Sequence, residues 1–258
     1  MTAKKVKELI KLRDDAPTRR ESGLYIVEGI KMFLEADPDE TVETIATEAF
    51  LKEHSEICAG RITEVVDDAL MKRLSDTKTP QGIMCVMRQK SYRQADMIAN
   101  GKLYMILEDL RDPGNLGTIV RTGEGAGVDG IILNRGCVDI YNPKTIRSTM
   151  GSIYRVPFVY TDSIADTVRS MKKEGIRIYA AHLKGKCDYD EPDYDRSAFM
   201  IGNESKGLKE ETVSLADEYV LIPMSGKVES LNASIAASLL MYEHRKQQKN
   251  KAEKCKKQ

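Results

Sequence analysis

Residues 220–234 read VLIPMSGKVESLNAS, and this stretch says more about the fold than any other part of the chain. It starts with apolar residues typical of a buried strand, and Pro223 and Gly226 then predict a turn. Ser230 and Asn232 are residue types that cap helices, and small residues follow them. Small side chains let another segment of backbone pack closely. The stretch therefore predicts a strand, a loop and a tightly packed final helix.

Two earlier segments also lead from a strand into a polar loop. Residues 107–121 read LEDLRDPGNLGTIVR, in which a strand ends at Asp-Pro-Gly and a helix follows. Asn115 and Arg121 are about one and two-thirds helical turns apart there, so both can approach the end of the strand. Residues 199–208 read FMIGNESKGL, a strand entering a glycine-flanked loop where backbone can approach a ligand. Taken alone, Asn115 is equally explained as a helix cap and Arg121 as a surface ion-pair residue. The alternative for residues 199–208 is an ordinary turn in which Glu204 is a local cap.

The composition is that of a globular protein. The chain has 258 residues, and 40 basic residues balance 40 acidic ones, so net charge alone does not indicate a nucleic-acid partner. No apolar run approaches the roughly 20 residues of a membrane helix, and the charged start lacks the features of a signal peptide. The five cysteines and three histidines have no metal-binding spacing. We expect a cytoplasmic protein with no metal site.

Two glycine-rich segments imitate nucleotide-binding motifs. Residues 125–130 (GAGVDG) match the dinucleotide fingerprint, but they end a helical stretch and precede a strand, which reverses the required order. Residues 202–207 (GNESKG) have the glycine spacing of a P-loop, but Leu208 and Lys209 stand where Lys and Ser or Thr are required. These departures argue against NAD and nucleoside triphosphates as ligands.

The hydrophobic pattern divides the chain into two domains. The first part alternates helical and strand patterns, and the polar stretch 88–102 is interpreted as a linker. Beyond it, β-rich runs alternate with helical stretches, the pattern of a mainly parallel sheet, for which a Rossmann-like layout is the first hypothesis. A final helix over 232–246, with an apolar face at Ile235, Leu239 and Tyr242, precedes a basic tail. The predicted boundaries are 1–95 with the linker, 96–248, and a disordered tail at 249–258.

Together, the three segments closely resemble the sequence motifs of the SpoU/TrmH family of the SPOUT methyltransferases. These motifs are N-x-G-x-x-x-R, I-G-N-E-x-x-G and I-P-M-x-G-x-V-x-S-L-N, and they occur here in order and at family-like separation. The resemblance extends to residues 76–82 (DTKTPQG), 141–144 (YNPK) and 148–152 (STMGS), so it covers most of the chain. The N-terminal portion is similar to the RNA substrate-binding domain of the family.

The resemblance implies a fold and an activity. It replaces the Rossmann-like hypothesis with an α/β protein: a small N-terminal α/β RNA-binding domain, then a C-terminal SPOUT domain with a parallel sheet. That domain carries a deep trefoil knot, an exception to the rule that chains avoid threading. The resemblance also implies a homodimer with its active site at the interface. It implies S-adenosylmethionine as the cofactor and methyl transfer to a ribose 2′-hydroxyl of RNA.

The resemblance also implies site residues by motif position. The catalytic set is Asn115, Arg121, Glu204, Ser230 and Asn232. The cofactor-binding set is Gly202, Asn203, Ile222, Met224 and Leu231, with Ala181 in the segment 181–183 as a further wall. Arg121 matches the catalytic arginine of the family. Because a guanidinium holds its proton very strongly, it is a poor base. We therefore expect Arg121 to clamp a phosphate and to stabilise negative charge on the ribose oxygen, and the identity of the proton acceptor stays open.

Other functions stay open beside this one. The N-terminal extension favours large-subunit ribosomal RNA by analogy with family members that include antibiotic-resistance enzymes, and transfer RNA is the alternative substrate. A run of basic residues could bind phosphates, although such a run is more often a solvated face. Its members are Lys4, Lys5, Lys7, Lys11, Arg13, Arg19 and Arg20. An RNA-binding assembly factor without catalysis is the alternative of another class, and the intact motif residues argue against it.

Overall fold

The structure, a computed structural model, describes residues 1–255. The helices are α1 (Ala3–Asp14), α2 (Ala16–Ser22), α3 (Ile30–Glu35), α4 (Glu48–Glu53), α5 (Ser55–Cys58), α6 (Asp68–Leu74), α7 (Gln94–Asn100), α8 (Pro113–Ala126), α9 (Pro143–Thr149), α10 (Ile164–Lys173), α11 (Glu210–Val213) and α12 (Ala233–Cys255). The strands are β1 (Leu24–Glu28), β2 (Thr41–Thr47), β3 (Glu64–Val66), β4 (Ile83–Arg88), β5 (Leu103–Leu107), β6 (Gly130–Asn134), β7 (Phe158–Thr161), β8 (Arg177–Ala181), β9 (Cys187–Asp188), β10 (Ser197–Ile201) and β11 (Glu218–Leu221). The chain forms two compact units, Met1–Lys90 with Asp139–Tyr154, and Ser91–Val138 with the chain from Arg155 onward.

The first unit is built on a mixed sheet in the order β1-β4-β2-β3. Strand β4 runs antiparallel to β1 and β2, and β2 runs parallel to β3. Val6, Leu9 and Leu12 recur at helical spacing along α1 and pack with Ile26 and Ile45 of the sheet. Each such buried side chain stabilises the fold by about 1.5–3 kcal/mol. This core makes the first unit an α/β body, as the sequence predicts.

The segment Asp139–Tyr154 belongs to the first unit, although the hydrophobic pattern predicts it within the second domain, 96–248. Arg19 explains part of this: its buried side chain contacts Asp139 at 2.7 Å and donates to the carbonyl of Leu12 at 2.9 Å. The Tyr154 hydroxyl donates to the carbonyl of Met32 at 3.0 Å. Hydrophobic periodicity predicts elements but not their partners, so this association leaves no local signal.

The second unit is built on a sheet in the order β7-β6-β5-β10-β8-β11-β9, and every neighbouring pair is parallel. All residues of β5 and β10 are buried, as expected for the centre of a parallel sheet. Strand β10 lies between β5 and β8, whereas a Rossmann sheet would place β8 beside β5. The Rossmann-like hypothesis is therefore wrong in its strand order. The observed order brings the loops after β5 and β10 together at one edge of the sheet.

The predicted linker 88–102 contains a helix, α7, that belongs to the second unit. Ile98 of α7 is buried, and the Tyr104 hydroxyl donates to the carbonyls of Met97 and Ile98 at 3.1 Å each. A polar helix with one buried residue gives a weak periodic signal, which accounts for the linker interpretation.

The final helix is longer than the sequence predicts. It runs to Cys255, so the stretch expected to be a disordered tail is helical up to that residue, and residues 256–258 lie outside the described part. Lys251 stabilises the extension, since its ammonium contacts Asp193 at 2.6 Å and the Tyr194 carbonyl at 3.0 Å. The Gln248 amide donates to the same carbonyl at 2.7 Å. The acidic loop before β10 thus provides partners for the basic end of the helix.

The buried face of α12 is not the predicted one. Ala237, Leu240 and Met241 are fully buried, whereas Ile235 is 48% exposed and Tyr242 is 49% exposed. The apolar stripe anticipated from Ile235 and Tyr242 therefore faces away from the core of this chain. Among the described residues, no helix has the length and apolar character of a membrane span.

Candidate functional site

The side chain of Asn115 does not cap α8 and is available for other contacts. Asp112 caps the helix, because its carboxylate accepts the backbone N–H of Asn115 at 2.8 Å, and Pro113 takes the first helical position. The interpretation of Asn115 as the cap is therefore wrong. Its side chain lies toward the loop after β10.

Glu204, in the loop after β10, ties that loop to the start of α8. One carboxylate oxygen accepts the Asn115 side-chain N–H and the Asp112 backbone N–H, both at 3.0 Å. The other accepts the backbone N–H of Arg111 at 3.3 Å and the Asn203 amide at 3.4 Å. Partial burial alone would raise the pKa of Glu204, but the bonds from Asn115 and the backbone outweigh it and hold the pKa below its ordinary value. Glu204 is thus a brace that is ionised at neutral pH, and it is a poor proton acceptor.

Asn232 extends this contact to the third segment. Its amide nitrogen donates to the Asn115 side-chain oxygen at 2.9 Å, and its own oxygen accepts the backbone N–H of Ser234 at 2.9 Å, which caps α12. The chain Glu204–Asn115–Asn232 therefore joins three segments that are far apart in sequence. Each of the two amide nitrogens makes one hydrogen bond among residues 1–255 and keeps a second N–H. Those donors can bind oxygens of a ligand.

A cavity of about 360 Å³ lies beside this chain of hydrogen bonds. Its volume is within the range of roughly 300–1,000 Å³ that small-molecule sites occupy. The loops after β8, β10 and β11 and the start of α12 form its walls. Residues from both predicted sets line it: Ala181, Gly202, Asn203, Glu204, Ile222, Met224, Ser230 and Leu231. Three predicted catalytic residues are outside this lining: Asn115, Arg121 and Asn232.

The cavity wall after β10 requires glycine at both ends. A Cβ on Gly202 would overlap the backbone of Gly207 and Leu208. Asn203 and Gly207 exchange backbone hydrogen bonds of 3.0 and 2.8 Å, and Gly207 has a left-handed φ of 69°. The glycine-flanked motif therefore specifies a tight turn whose residues line the cavity.

Arg121 lies on the exposed side of α8 and makes no hydrogen bond or ion pair with any described residue. The interpretation as a surface ion-pair residue within one chain is therefore not supported. An unpaired guanidinium is free to bind a phosphate or another anion. Arg121 is not among the residues that line the cavity. It is exposed on α8, the helix that carries Asn115.

Comparison with known sequences then decides the family. Residues 102–242 match the model of the SpoU rRNA Methylase family, and residues 3–85 match that of the MRM3-like substrate binding domain. The first match alone spans more than half of the chain. This chain belongs to the SpoU rRNA methylase family. The SPOUT-type interpretation of the three motifs is thereby confirmed.

Individual relatives of this SpoU protein match nearly its whole length. A Bacillus subtilis protein named 23S rRNA (guanosine(2553)-2'-O)-methyltransferase RlmP is 29% identical over 240 residues, 92% of this chain and 94% of the relative. The structure of an AdoMet-bound rRNA methyltransferase from Sinorhizobium meliloti has a TM-score of 0.84 and 28% identity, with 95% of each chain covered. A structure described as an RNA 2'-O ribose methyltransferase has a TM-score of 0.80 and 25% identity, covering 96% of this chain and 97% of that one.

Some residues of this SpoU cavity were not singled out from the sequence. Lys184, Ser205 and Lys206 also line it. Lys184 belongs to a short turn in which its backbone N–H donates to Nδ1 of His182 at 3.1 Å, so a neutral His182 ring carries its proton on Nε2. Their positions in the sequence could have identified these three residues, because each closely follows a strand that ends at the cavity.

Proposed function

We propose that this SpoU protein is an S-adenosylmethionine-dependent methyltransferase that modifies a ribose 2′-hydroxyl of RNA, with large-subunit ribosomal RNA as the substrate. The observation that carries the proposal is the hydrogen-bond chain Glu204–Asn115–Asn232 beside a cavity of about 360 Å³. The names of the relatives support the chemistry, since RlmP is named for 2'-O-methylation of 23S rRNA and the Sinorhizobium meliloti structure contains AdoMet. We expect it to act in the cytoplasm.

The residues of the cavity fit S-adenosylmethionine. Apolar side chains of Ile222 and Leu231 offer surfaces for an adenine ring, and the turn from Gly202 to Gly207 offers backbone groups for polar atoms. When bound, the cofactor supplies a methyl carbon made electrophilic by a sulfonium. We infer further that the loop before α12 belongs to a trefoil knot, since the family carries one and α12 packs on β10 and α8.

The side chains around the cavity have separate roles in binding the RNA and in the reaction. The unpaired Arg121 binds a phosphate and stabilises negative charge on the ribose oxygen. The second N–H groups of Asn115 and Asn232 orient the ribose, and the Ser230 hydroxyl lies at the exposed rim of the cavity. Glu204 holds the two loops together. Because its oxygens already accept four N–H groups, it is not the acceptor of the ribose proton.

We propose a homodimer that buries the exposed stripe of α12. Ile235, Leu239 and Tyr242 share one helix face, and the first and last are about half exposed. A Cβ on Gly125 of α8 would lie 3.0 Å from the Tyr242 hydroxyl, so this stripe borders α8, the helix that carries Arg121. A partner docked on the stripe would therefore lie close to Arg121, which supports an active site completed by the second subunit.

Ile235→Glu is expected to convert the dimer to monomers and to abolish methyl transfer. A charge in the middle of a buried apolar interface is left without a partner, whereas in the monomer the side chain is solvent-exposed and the fold tolerates it. Analytical ultracentrifugation measures the mass, and circular dichroism checks the fold. Leu34→Glu, at a position 52% exposed in the first unit, is the matched control. A dimer that persists in Ile235→Glu would refute this interface.

Some of the basic residues proposed to bind RNA phosphates already have partners within the first unit. Arg13 donates to the carbonyls of Arg73 and Leu74 at 2.9 and 3.0 Å, and Arg19 is buried against Asp139, so both stabilise the fold of the first unit. Lys5 lies 2.7 Å from the carboxylate of Glu43. The remaining lysines of α1 are exposed, at positions that share one helix face: Lys4, Lys7 and Lys11. We propose this face for RNA phosphates.

Lys7→Glu combined with Lys11→Glu is expected to weaken RNA binding at least tenfold. The negative slope of log affinity against log salt concentration should become less steep by about 2, because two phosphate contacts are lost. Filter binding at several salt concentrations measures both effects. Lys31→Glu combined with Lys52→Glu, at exposed positions of α3 and α4 in the same unit, changes the net charge by the same amount and is the control. Equal losses in the control and the α1 variant would remove α1 from the RNA interface.

The proposed function is tested by incubating the protein with labelled S-adenosylmethionine and either total ribosomal RNA or transfer RNA. Label in large-subunit ribosomal RNA is the expected result. Label confined to transfer RNA would establish the alternative substrate. Cofactor binding without label in either RNA would favour the assembly factor, and no cofactor binding would overturn the methyltransferase proposal.

A further inference from the structure

Asp109 has an unusual backbone conformation for its place in the fold. It has a φ of 50°, in the left-handed region that residues other than glycine rarely adopt. Met150 shares this property among the described residues, but it ends α9, where the conformation is ordinary. Asp109 lies instead in the loop that follows β5. Strain of this kind persists where the surroundings determine the conformation, and it concentrates at functional sites.

The residues around Asp109 hold it in this left-handed backbone conformation. Its backbone N–H donates to the Asn134 side-chain oxygen, and one of its carboxylate oxygens accepts the Asn134 N–H, both at 2.9 Å. The other carboxylate oxygen lies 3.0 Å from the Lys209 ammonium. The Asn134 hydrogen bond, followed by Lys209, holds the pKa of Asp109 below its ordinary value. Glycine at position 136 provides the space for this arrangement, since a Cβ there would overlap the carboxylate of Asp109.

The peptide that follows this strained residue reaches the cavity wall. The carbonyl of Asp109 accepts the Asn203 side-chain N–H at 2.9 Å. The Asn203 oxygen in turn accepts the backbone N–H groups of Ser205 and Lys206 at 3.0 and 3.1 Å. The direction of the Asp109 carbonyl therefore sets the Asn203 amide, and Asn203 sets the turn that lines the cavity. Asp109 itself is not among the lining residues.

From this geometry we infer that Asp109 is a positioning residue for the cofactor: it holds Asn203, and through it the turn 203–207, in the shape that binds S-adenosylmethionine. The inference rests on the proposed function, because it takes this cavity to be the cofactor site. Asp109 touches neither cofactor nor substrate. It acts by fixing a carbonyl that an ordinary backbone conformation would turn away from Asn203.

Three substitutions separate the backbone from the side chain. Asn tolerates the left-handed conformation and keeps an acceptor for Asn134; Gly adopts the conformation freely but loses the side chain; Ala loses both advantages. We expect the dissociation constant of S-adenosylmethionine to rise less than about threefold in Asp109→Asn, several-fold in Asp109→Gly and at least about tenfold in Asp109→Ala. In steady-state methyl transfer, KM for the cofactor should rise in this order while kcat changes much less.

Calorimetry on the full-length protein, well below its melting temperature, measures these affinities. Asp129→Ala is the matched control, since that carboxylate accepts the backbone N–H groups of Lys102 and Leu103 at 2.7 and 3.0 Å at the opposite edge of the same sheet. It should lower the melting temperature and leave cofactor affinity unchanged.

The order Asn, Gly, Ala with an unaffected control would support the inference. If Asp109→Ala does not fold, the Asn and Gly variants decide: a weaker affinity for Gly supports it and equal affinities overturn it. Equal affinities across the folded variants, or the same loss in Asp129→Ala, would also overturn it while the proposed function stands. A wild-type protein that binds no cofactor would overturn the proposed function and the inference with it.

Discussion

Arg121→Ala is expected to lower the rate of methyl transfer by about a hundred- to a thousandfold and to leave the affinity for S-adenosylmethionine within about twofold of wild type. Arg121 is exposed, has no partner among residues 1–255 and lies outside the cavity lining, so its removal disturbs neither the fold nor the cofactor site. The loss falls on phosphate binding and on stabilisation of the ribose oxygen. Single-turnover methyl transfer and calorimetry measure the two quantities separately.

A second exposed arginine provides the control for this variant. Among residues 1–255, Arg169 on α10 pairs only with the exposed Asp166 of its own helix, so Arg169→Ala should retain wild-type activity. Arg121→Lys keeps the charge but not the planar fork, and we expect it to recover only part of the rate. An Arg121→Ala variant as active as wild type would remove this residue from the reaction. A large loss of cofactor affinity would instead place it at the cofactor site.

Glu204→Gln is expected to weaken cofactor binding about tenfold and to reduce methyl transfer more strongly. A carboxamide has the same shape, but its nitrogen is a donor that would face N–H groups of Asp112, Asn115 or Arg111. An unsatisfied donor costs about 1–3 kcal/mol when buried, and the lower end applies to this solvent-exposed side chain. Calorimetry and label transfer measure the two effects.

The same pair of proteins tests the charge of Glu204. Because the pKa of the folded carboxyl is depressed, its contribution to stability is present above its unfolded pKa of about 4.3 and is lost as the pH falls through the folded pKa. Glutamine contributes no such pH-dependent part. The difference in free energy of unfolding between wild type and Glu204→Gln should therefore be constant from about pH 6 to 8 and shrink below about pH 4. Glu211→Gln, exposed on α11, is the control; a difference independent of pH would contradict the ionised brace.

Local features of this site could be predicted from the sequence. The apolar runs that predicted strands are strands β5 to β8, β10 and β11 in the structure, since each combines high β-propensity with a clear turn after it. The residues assigned to the cofactor, such as Gly202 and Ile222, line one cavity because they follow strands whose carboxyl ends meet at one edge.

Long-range features could not be predicted. The role of Asn115 depended on whether Asp112 took the capping position, and both residue types cap helices equally well. The placement of β10 between β5 and β8 depends on which crossover each strand makes, which alternating patterns do not record. The burial of Arg19 against Asp139 joins residues 120 positions apart. The strained conformation of Asp109 likewise appears only when Asn134, Lys209 and Gly136 surround it.

The most direct test of the account is to locate the methyl group on the RNA. Ribosomal RNA methylated by the wild-type protein with labelled S-adenosylmethionine would be digested to nucleosides and separated, and a second portion would be hydrolysed in alkali, which cannot cleave next to a 2′-O-methylated ribose. We predict label in a single 2′-O-methylnucleoside, protected from alkali and formed at least about a hundredfold more slowly with Arg121→Ala. Label in a methylated base, released as an ordinary alkali-sensitive nucleotide, would contradict ribose methylation.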